Sequence, residues 1–156
     1  MSRSLGVGMS EALVQKMIDP GLETAVGIRH DATFGPVVTF GLGGAFAEAI
    51  DDVATRVTPL TDRDAADLVR SARAWSVLAD SSYALGALED LLLRVGLLAD
   101  LMPEVVELAM NPVLISTESA TAVDLTIRVA HARSDLGDPA RRMLRVPGEA
   151  PAPVPR

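Results

Sequence analysis

The sequence predicts an α+β domain: a mostly antiparallel sheet with helices packed on it. Three observations carry that expectation. Short aliphatic and β-branched runs, separated by Asp-Pro-Gly and Gly-Pro turn signals, recur between residues 12 and 60 and again between 105 and 129. Residues 85–102 instead carry apolar side chains at helical spacing, and a capping-box pattern at residues 61–64 opens another helix. Apolar residues make up 49% of the 156-residue chain and aromatics only 3%, so one aliphatic core of Ala, Val and Leu, with Met as adaptable filler, is the expected interior.

The elements follow in order. Residues 1–11 are Gly- and Ser-rich and are expected to be a flexible N-terminus. Residues 12–17 form a short apolar run, read as a strand; Asp19-Pro20-Gly21 is a turn; residues 22–28 form a second strand that would pair with the first in a hairpin. Thr33-Phe34-Gly35-Pro36 is the next turn, and residues 37–40 are a strand buried on both faces. After the glycines at 41, 43 and 44, residues 45–53 suit a helix with Glu48, Asp51 and Asp52 on its wet side. Residues 55–60 are extended. Thr61-Asp62-Arg63-Asp64 has the form of a capping box with Asp in place of Glu, opening a helix to about Ala74. Residues 76–84 read as loop. Leu85, Leu88, Leu92, Val95 and Leu98 share one face of a long helix that Pro103 ends. Residues 105–110 and 113–116 read as strand around Asn111-Pro112, and residues 120–129 as a last strand or strand plus loop. From residue 131 the chain is a Pro/Arg-rich tail of disordered composition.

Composition removes several function classes. There is no Cys, which excludes disulfides, thiolate metal sites and thiol catalysis. The formal charge is −7 and Lys16 is the single lysine, so no basic footprint for nucleic acid is visible. The most apolar stretch, residues 91–102, is short and interrupted by Arg94 and Asp100, and the N-terminus has no apolar signal core. No membrane association is expected, and the chain reads as cytoplasmic. His30 and His131 have no carboxylate or hydroxyl constellation around them, and Trp75 and Tyr83 read as packing residues.

Three features could carry chemistry. The run Gly41-Leu42-Gly43-Gly44 lies between a strand and a helix, where backbone N–H groups can meet a phosphate; the same glycines also serve a tight turn with no ligand at all. It is neither G-x-G-x-x-G nor a P-loop. Asn111 and Asp124 offer hard oxygens from strand-like surroundings, suited to Mg²⁺ with its preference for one or two protein oxygens plus phosphate and water; alternatively Asn-Pro is a turn and Asp124 a strand end. Glu23 is a lone charge in an apolar run, on a solvent face or in a cleft.

In sequence order, LVQKMI, GLETAVGIRHDATFGPVVTFGLGGAFAEAIDDVATRVTPL, VVELAMNPVLI and AVDL resemble the ATP-grasp domain of NDP-forming acyl-CoA synthetases, which include ADP-forming acetate–CoA ligases and, more distantly, succinyl-CoA synthetase β-subunits. The resemblance covers roughly residues 12–128. It implies the C-terminal ATP-grasp subdomain over residues 12–130, binding ATP/ADP and Mg²⁺. It further implies that residues 14–17 are a hinge whose Lys16 and Met17 backbone meets adenine, and that Gln15 and Glu23 face ribose. Gly41, Gly43, Gly44 and Glu48 would face phosphate or acyl groups, with Asn111 and Asp124 as metal ligands and no catalytic nucleophile in this chain. The partners implied are a nucleotide and the missing ATP-grasp and CoA-ligase domains, in another chain or a longer product, with self-association of the orphaned apolar face. ATP and GTP are not distinguished.

Two departures accompany it. The family has an acidic residue two before the Asn, and here that residue is Ala109, with Glu107 on the same strand face. Asp80-Ser81-Ser82-Tyr83-Ala84 stands where the family has a G-x-R-G-x-P stretch. These departures keep open a second expectation, a non-catalytic remnant that serves interaction or regulation.

Overall fold

In the computed structural model, residues 14–44, 53–79 and 82–130 are described. Strands β1 (Leu22–Asp31), β2 (Gly35–Leu42) and β3 (Val53–Val57) are followed by helices α1 (Asp62–Ser71), α2 (Trp75–Leu78) and α3 (Leu85–Leu101), then by β4 (Val105–Ile115), β5 (Ala120–Ala122) and β6 (Leu125–Val129). The strands form one six-stranded sheet in the order β3-β2-β1-β4-β5, with β6 also on β4, and every pairing is antiparallel. The α+β expectation holds.

The helices cover one face. Val26 and Ile28 of β1, Val38 and Phe40 of β2, and Leu108, Met110, Val113 and Ile115 of β4 bury against Leu68 and Val69 of α1 and Leu88, Leu92 and Val95 of α3. The opposite face carries Glu23, Thr39, Glu107, Ala109 and Asn111, none of them buried. Helix α1 begins as its sequence dictates. The Thr61 hydroxyl accepts from the Asp64 N–H at 3.2 Å and the Asp64 carboxylate accepts from the Thr61 N–H at 2.9 Å, which completes the capping box. Helix α3 stops before Pro103, with Met102 N–H donating to the Leu98 carbonyl.

Several boundaries differ from expectation. Residues 14–20 are not a strand, and residues 12 and 13 lie outside the described residues. The expected hairpin fails because β1 is already paired on both edges, by β2 and by β4, and has no free ladder for a third strand. Helix α1 ends at Ser71, where Ala72 turns extended at ψ 148°. One helical turn, α2, occupies part of the expected loop. The helix expected over residues 45–53 falls on 45–52, outside the described residues, and Val53 itself opens β3. The tail from residue 131 also lies outside them.

The most consequential difference is in β4. Asn111-Pro112 does not divide two strands; it sits inside one strand of 11 residues. Thr24 pairs with Val113 and Val26 with Met110, so Asn111 and Pro112 together oppose Ala25 alone. That is a β-bulge, the place where a proline without an N–H is tolerated within a sheet. The extra residue resets the alternation: Met110 and Val113 both reach the core, and Asn111 is exposed between them.

Candidate functional site

The bulge aims Asn111 at the end of β2. There the chain leaves the sheet through Gly43 and Gly44, and two hydrogen bonds hold this turn. Gly43 N–H donates to the Glu23 carbonyl at 3.0 Å, and Gly44 N–H donates to Asn111 Oδ1 at 2.8 Å. Gly44 has φ +77°, and a Cβ there would collide with the Glu23 carboxylate. Glu23, the glycine turn and Asn111 therefore meet at one point, on the face the helices leave open.

Asp124 comes to the same place by register. Met110 pairs with Leu125 of β6, Val113 pairs with Ala122 of β5, and Val123 N–H donates to the Pro112 carbonyl at 3.0 Å. The same pairing offset holds on either side, so the connection that carries Asp124 runs alongside Asn111 and Pro112. Asp124 itself lies in the short connection between β5 and β6 rather than inside a strand, and it is exposed.

The remaining expected residues are distributed as follows. Gly41 is in β2, paired with Ala25 and Val53. Glu48 lies outside the described residues. Gln15, Lys16 and Met17 are exposed on an irregular segment. Lys16 and Met17 line a groove with Ile18, Leu114, Ser116 and Thr121, and Leu114 is also the β4 partner of Glu23. The groove thus opens beside the Glu23–Asn111 cluster. Ser116 and Thr121 were not singled out in the sequence. The available signal was the Ser116-Thr117-Glu118-Ser119 run: the Ser116 hydroxyl oxygen accepts from the N–H groups of Glu118 and Ser119, a hydroxyl-based turn.

Glu107 does not replace the acid missing at Ala109. Its carboxylate is paired with Arg128, at 2.8 Å to Nη2 and 2.9 Å to Nε. It also lies four residues from Asn111 along the strand, roughly 13 Å. Among the described residues, no three His, Cys, Asp or Glu side chains gather into a metal-binding group. Asn111 Oδ1 keeps a second lone pair beside the Gly44 bond, and the Asp124 carboxylate is exposed. Two such oxygens fit a Mg²⁺ ion that draws its other ligands from phosphate and water.

Comparison with known proteins decides the family. A model of the ATP-grasp domain matches residues 2–129. The chain belongs to the ATP-grasp domain family. It is 40% identical over 116 residues to the beta subunit of ADP-forming acetate–CoA ligase I of Pyrococcus furiosus, covering 72% of this chain and 50% of that subunit. ADP-forming acetate–CoA ligase I of Archaeoglobus fulgidus is also 40% identical over 116 residues, here 17% of its length. Acetyl-coenzyme A synthetase 1 of Ca. Korarchaeum cryptofilum, solved in complex with coenzyme A and Mg-AMPPCP, superposes with a TM-score of 0.69 at 33% identity, covering 72% of this chain and 55% of that one. This ATP-grasp chain spans about half the length of the Pyrococcus relative and under a fifth of the Archaeoglobus one. No helix among its described residues is long and apolar enough to cross a membrane.

Proposed function

We propose that this chain is a nucleotide- and Mg²⁺-binding part of an NDP-forming acyl-CoA synthetase, acting in the reaction acid + CoA + ATP ⇌ acyl-CoA + ADP + phosphate together with the remaining ATP-grasp and CoA-ligase domains. The observation that carries this reading is the convergence of Glu23, Gly44 and Asn111 on the open sheet face, with the connection that carries Asp124 running alongside Asn111. Phosphoryl transfer is governed by placement of a cation and hydrogen-bond donors around developing charge, and a carboxylate and an amide oxygen beside a groove are suited to it. In this reading Gln15 and Glu23 take the ribose hydroxyls and the Lys16-Met17 backbone meets the base. Gly41, Gly43, Gly44 and Glu48 lie on the phosphate or acyl side, and Asn111 and Asp124 hold Mg²⁺, which supplies charge neutralisation at the phosphates. The partner is a chain or further domain that brings the remaining ATP-grasp and CoA-ligase parts, in the cytoplasm. Self-association belongs to the same proposal, because Leu125, Ile127 and Val129 are exposed along β6.

The test is calorimetric titration of Mg·ATP and Mg·ADP into the chain, alone and with a complementary half from an ADP-forming acetate–CoA ligase. Binding that Asn111→Ala and Asp124→Ala each weaken is the expected result. Unchanged affinity in both variants overturns the assignment of the metal side.

Ala109 favours a second reading, a non-catalytic remnant that uses the open face for a partner protein. It predicts a stable fold with no Mg·ATP-dependent rise in melting temperature.

A further inference from the structure

The Gly43-Gly44 turn has already spent its donors. Its two N–H groups go to the Glu23 carbonyl and to Asn111 Oδ1. A glycine-rich turn that cradles phosphate must leave such groups pointing at the ligand. Its geometry also excludes side chains: a Cβ at Gly43 would run into the Thr24 carbonyl, and one at Gly44, where φ is +77°, into the Glu23 carboxylate. The turn is built tightly between β1 and the bulge of β4.

A backbone N–H can bond only to the oxygen end of a side-chain amide, because the NH₂ end is a pure donor. The Gly44 bond therefore decides which way the Asn111 amide is turned. It takes one lone pair of Oδ1 and leaves the other free, beside the connection that carries Asp124. We propose that Gly44 is a positioning residue: its N–H locks the Asn111 amide so that oxygen, not NH₂, is presented to a divalent cation. This rests on the nucleotide and Mg²⁺ reading above. It assigns the glycine turn to orienting a cation ligand. Groups that orient metal ligands typically affect metal affinity by 10- to 100-fold when altered.

The test uses the full chain and two readouts. The first is hydrogen exchange of the residue 44 amide by NMR in the parent, Asn111→Asp and Asn111→Leu. Protection in the parent, kept by Asp and lost in Leu, is expected, since a carboxylate still accepts the bond. The second is affinity for ATP with Mn²⁺ and for ATP with EDTA, in the parent and in Gly44→Ala. The expected result is a loss of about tenfold with Mn²⁺ and none with EDTA. A general structural role would weaken both affinities alike, and that result overturns the proposal. Metal-dependent binding that Gly44→Ala leaves intact overturns it too, while the nucleotide reading stands. A parent with no metal-dependent binding, even with the complementary half from an ADP-forming acetate–CoA ligase present, removes both. If Gly44→Ala does not fold, the exchange experiment decides: residue 44 protection that ignores Asn111→Leu means there is no lock.

Discussion

The Thr24 hydroxyl donates to the Val113 carbonyl at 3.0 Å, and Thr24 is the one fully buried polar side chain among the described residues. The bond crosses from β1 to β4 where their register slips, one residue beyond Pro112. It fastens the sheet on the near side of the bulge that turns Asn111 outward. Thr24→Val keeps the shape and removes the donor. Such a loss costs about 1 kcal/mol, and denaturant unfolding should register it as a lowered midpoint at unchanged slope. An unchanged midpoint would mean the bulge does not depend on this bond.

Helix α3 is held by burial rather than by caps, for it has no side-chain cap at its N-terminus. Leu92 is fully buried between helix and sheet. Leu92→Ala should cost about 2–5 kcal/mol, the range for an unfilled core cavity. Helix α1 depends more on its start. Thr61→Ala removes the capping box and should cost about 1 kcal/mol. Paired thermal melts would rank the two, and the reverse order would show that the helices contribute differently from what their burial implies.

Acid should destabilise the fold below pH 4. Asp31 is held below its ordinary value of 3.8, first by the Phe34 N–H and then by the Thr33 N–H, both donating to Oδ1. Asp64 is likewise lowered, first by the Thr61 hydroxyl and then by the Thr61 N–H. For both groups the folded pKa lies below the unfolded one, so as pH falls through 3.8 the unfolded chain takes up the proton first. Their stabilisation is complete above that value and is lost as pH falls through the folded values. Asp31→Asn retains an acceptor without a titrating charge, so melting temperatures from pH 5 to pH 2 should fall less steeply in Asp31→Asn and in Asp64→Asn than in the parent. Identical slopes would remove these two carboxylates as the cause.

Ala109 is exposed on the same strand and the same face as Asn111. Ala109→Asp places a carboxylate about 7 Å along the strand from it. Under the nucleotide reading, this variant should tighten Mg·ATP binding by about tenfold, roughly 1.4 kcal/mol. Binding only in Ala109→Asp would favour a site disabled at one ligand, and no gain would place residue 109 outside the cation's reach.

Local features were legible in the sequence because local interactions make them. The Thr61–Asp64 box spans one helical turn, the α3 stripe repeats within a single helix, and Pro103 stops that helix through its own ring. Asn111 and Asp124 stood out for the chemistry of their oxygens, and motif order pointed to the ATP-grasp family that residues 2–129 match. Residues 14–17 are not the expected strand because an apolar run says nothing about whether a partner edge is free, and both edges of β1 are taken.

By itself, the sequence determined the α+β class, the α1 cap, the α3 face, and the residue types able to meet a cation or a phosphate. Tertiary structure decided that Asn111 lies in a bulge, that the connection carrying Asp124 runs alongside it, and that the glycine turn bonds to Glu23 and Asn111. The reason is range. A cap closes over three residues, whereas the Gly44–Asn111 bond joins positions 67 apart, and only the assembled sheet brings them within 2.8 Å.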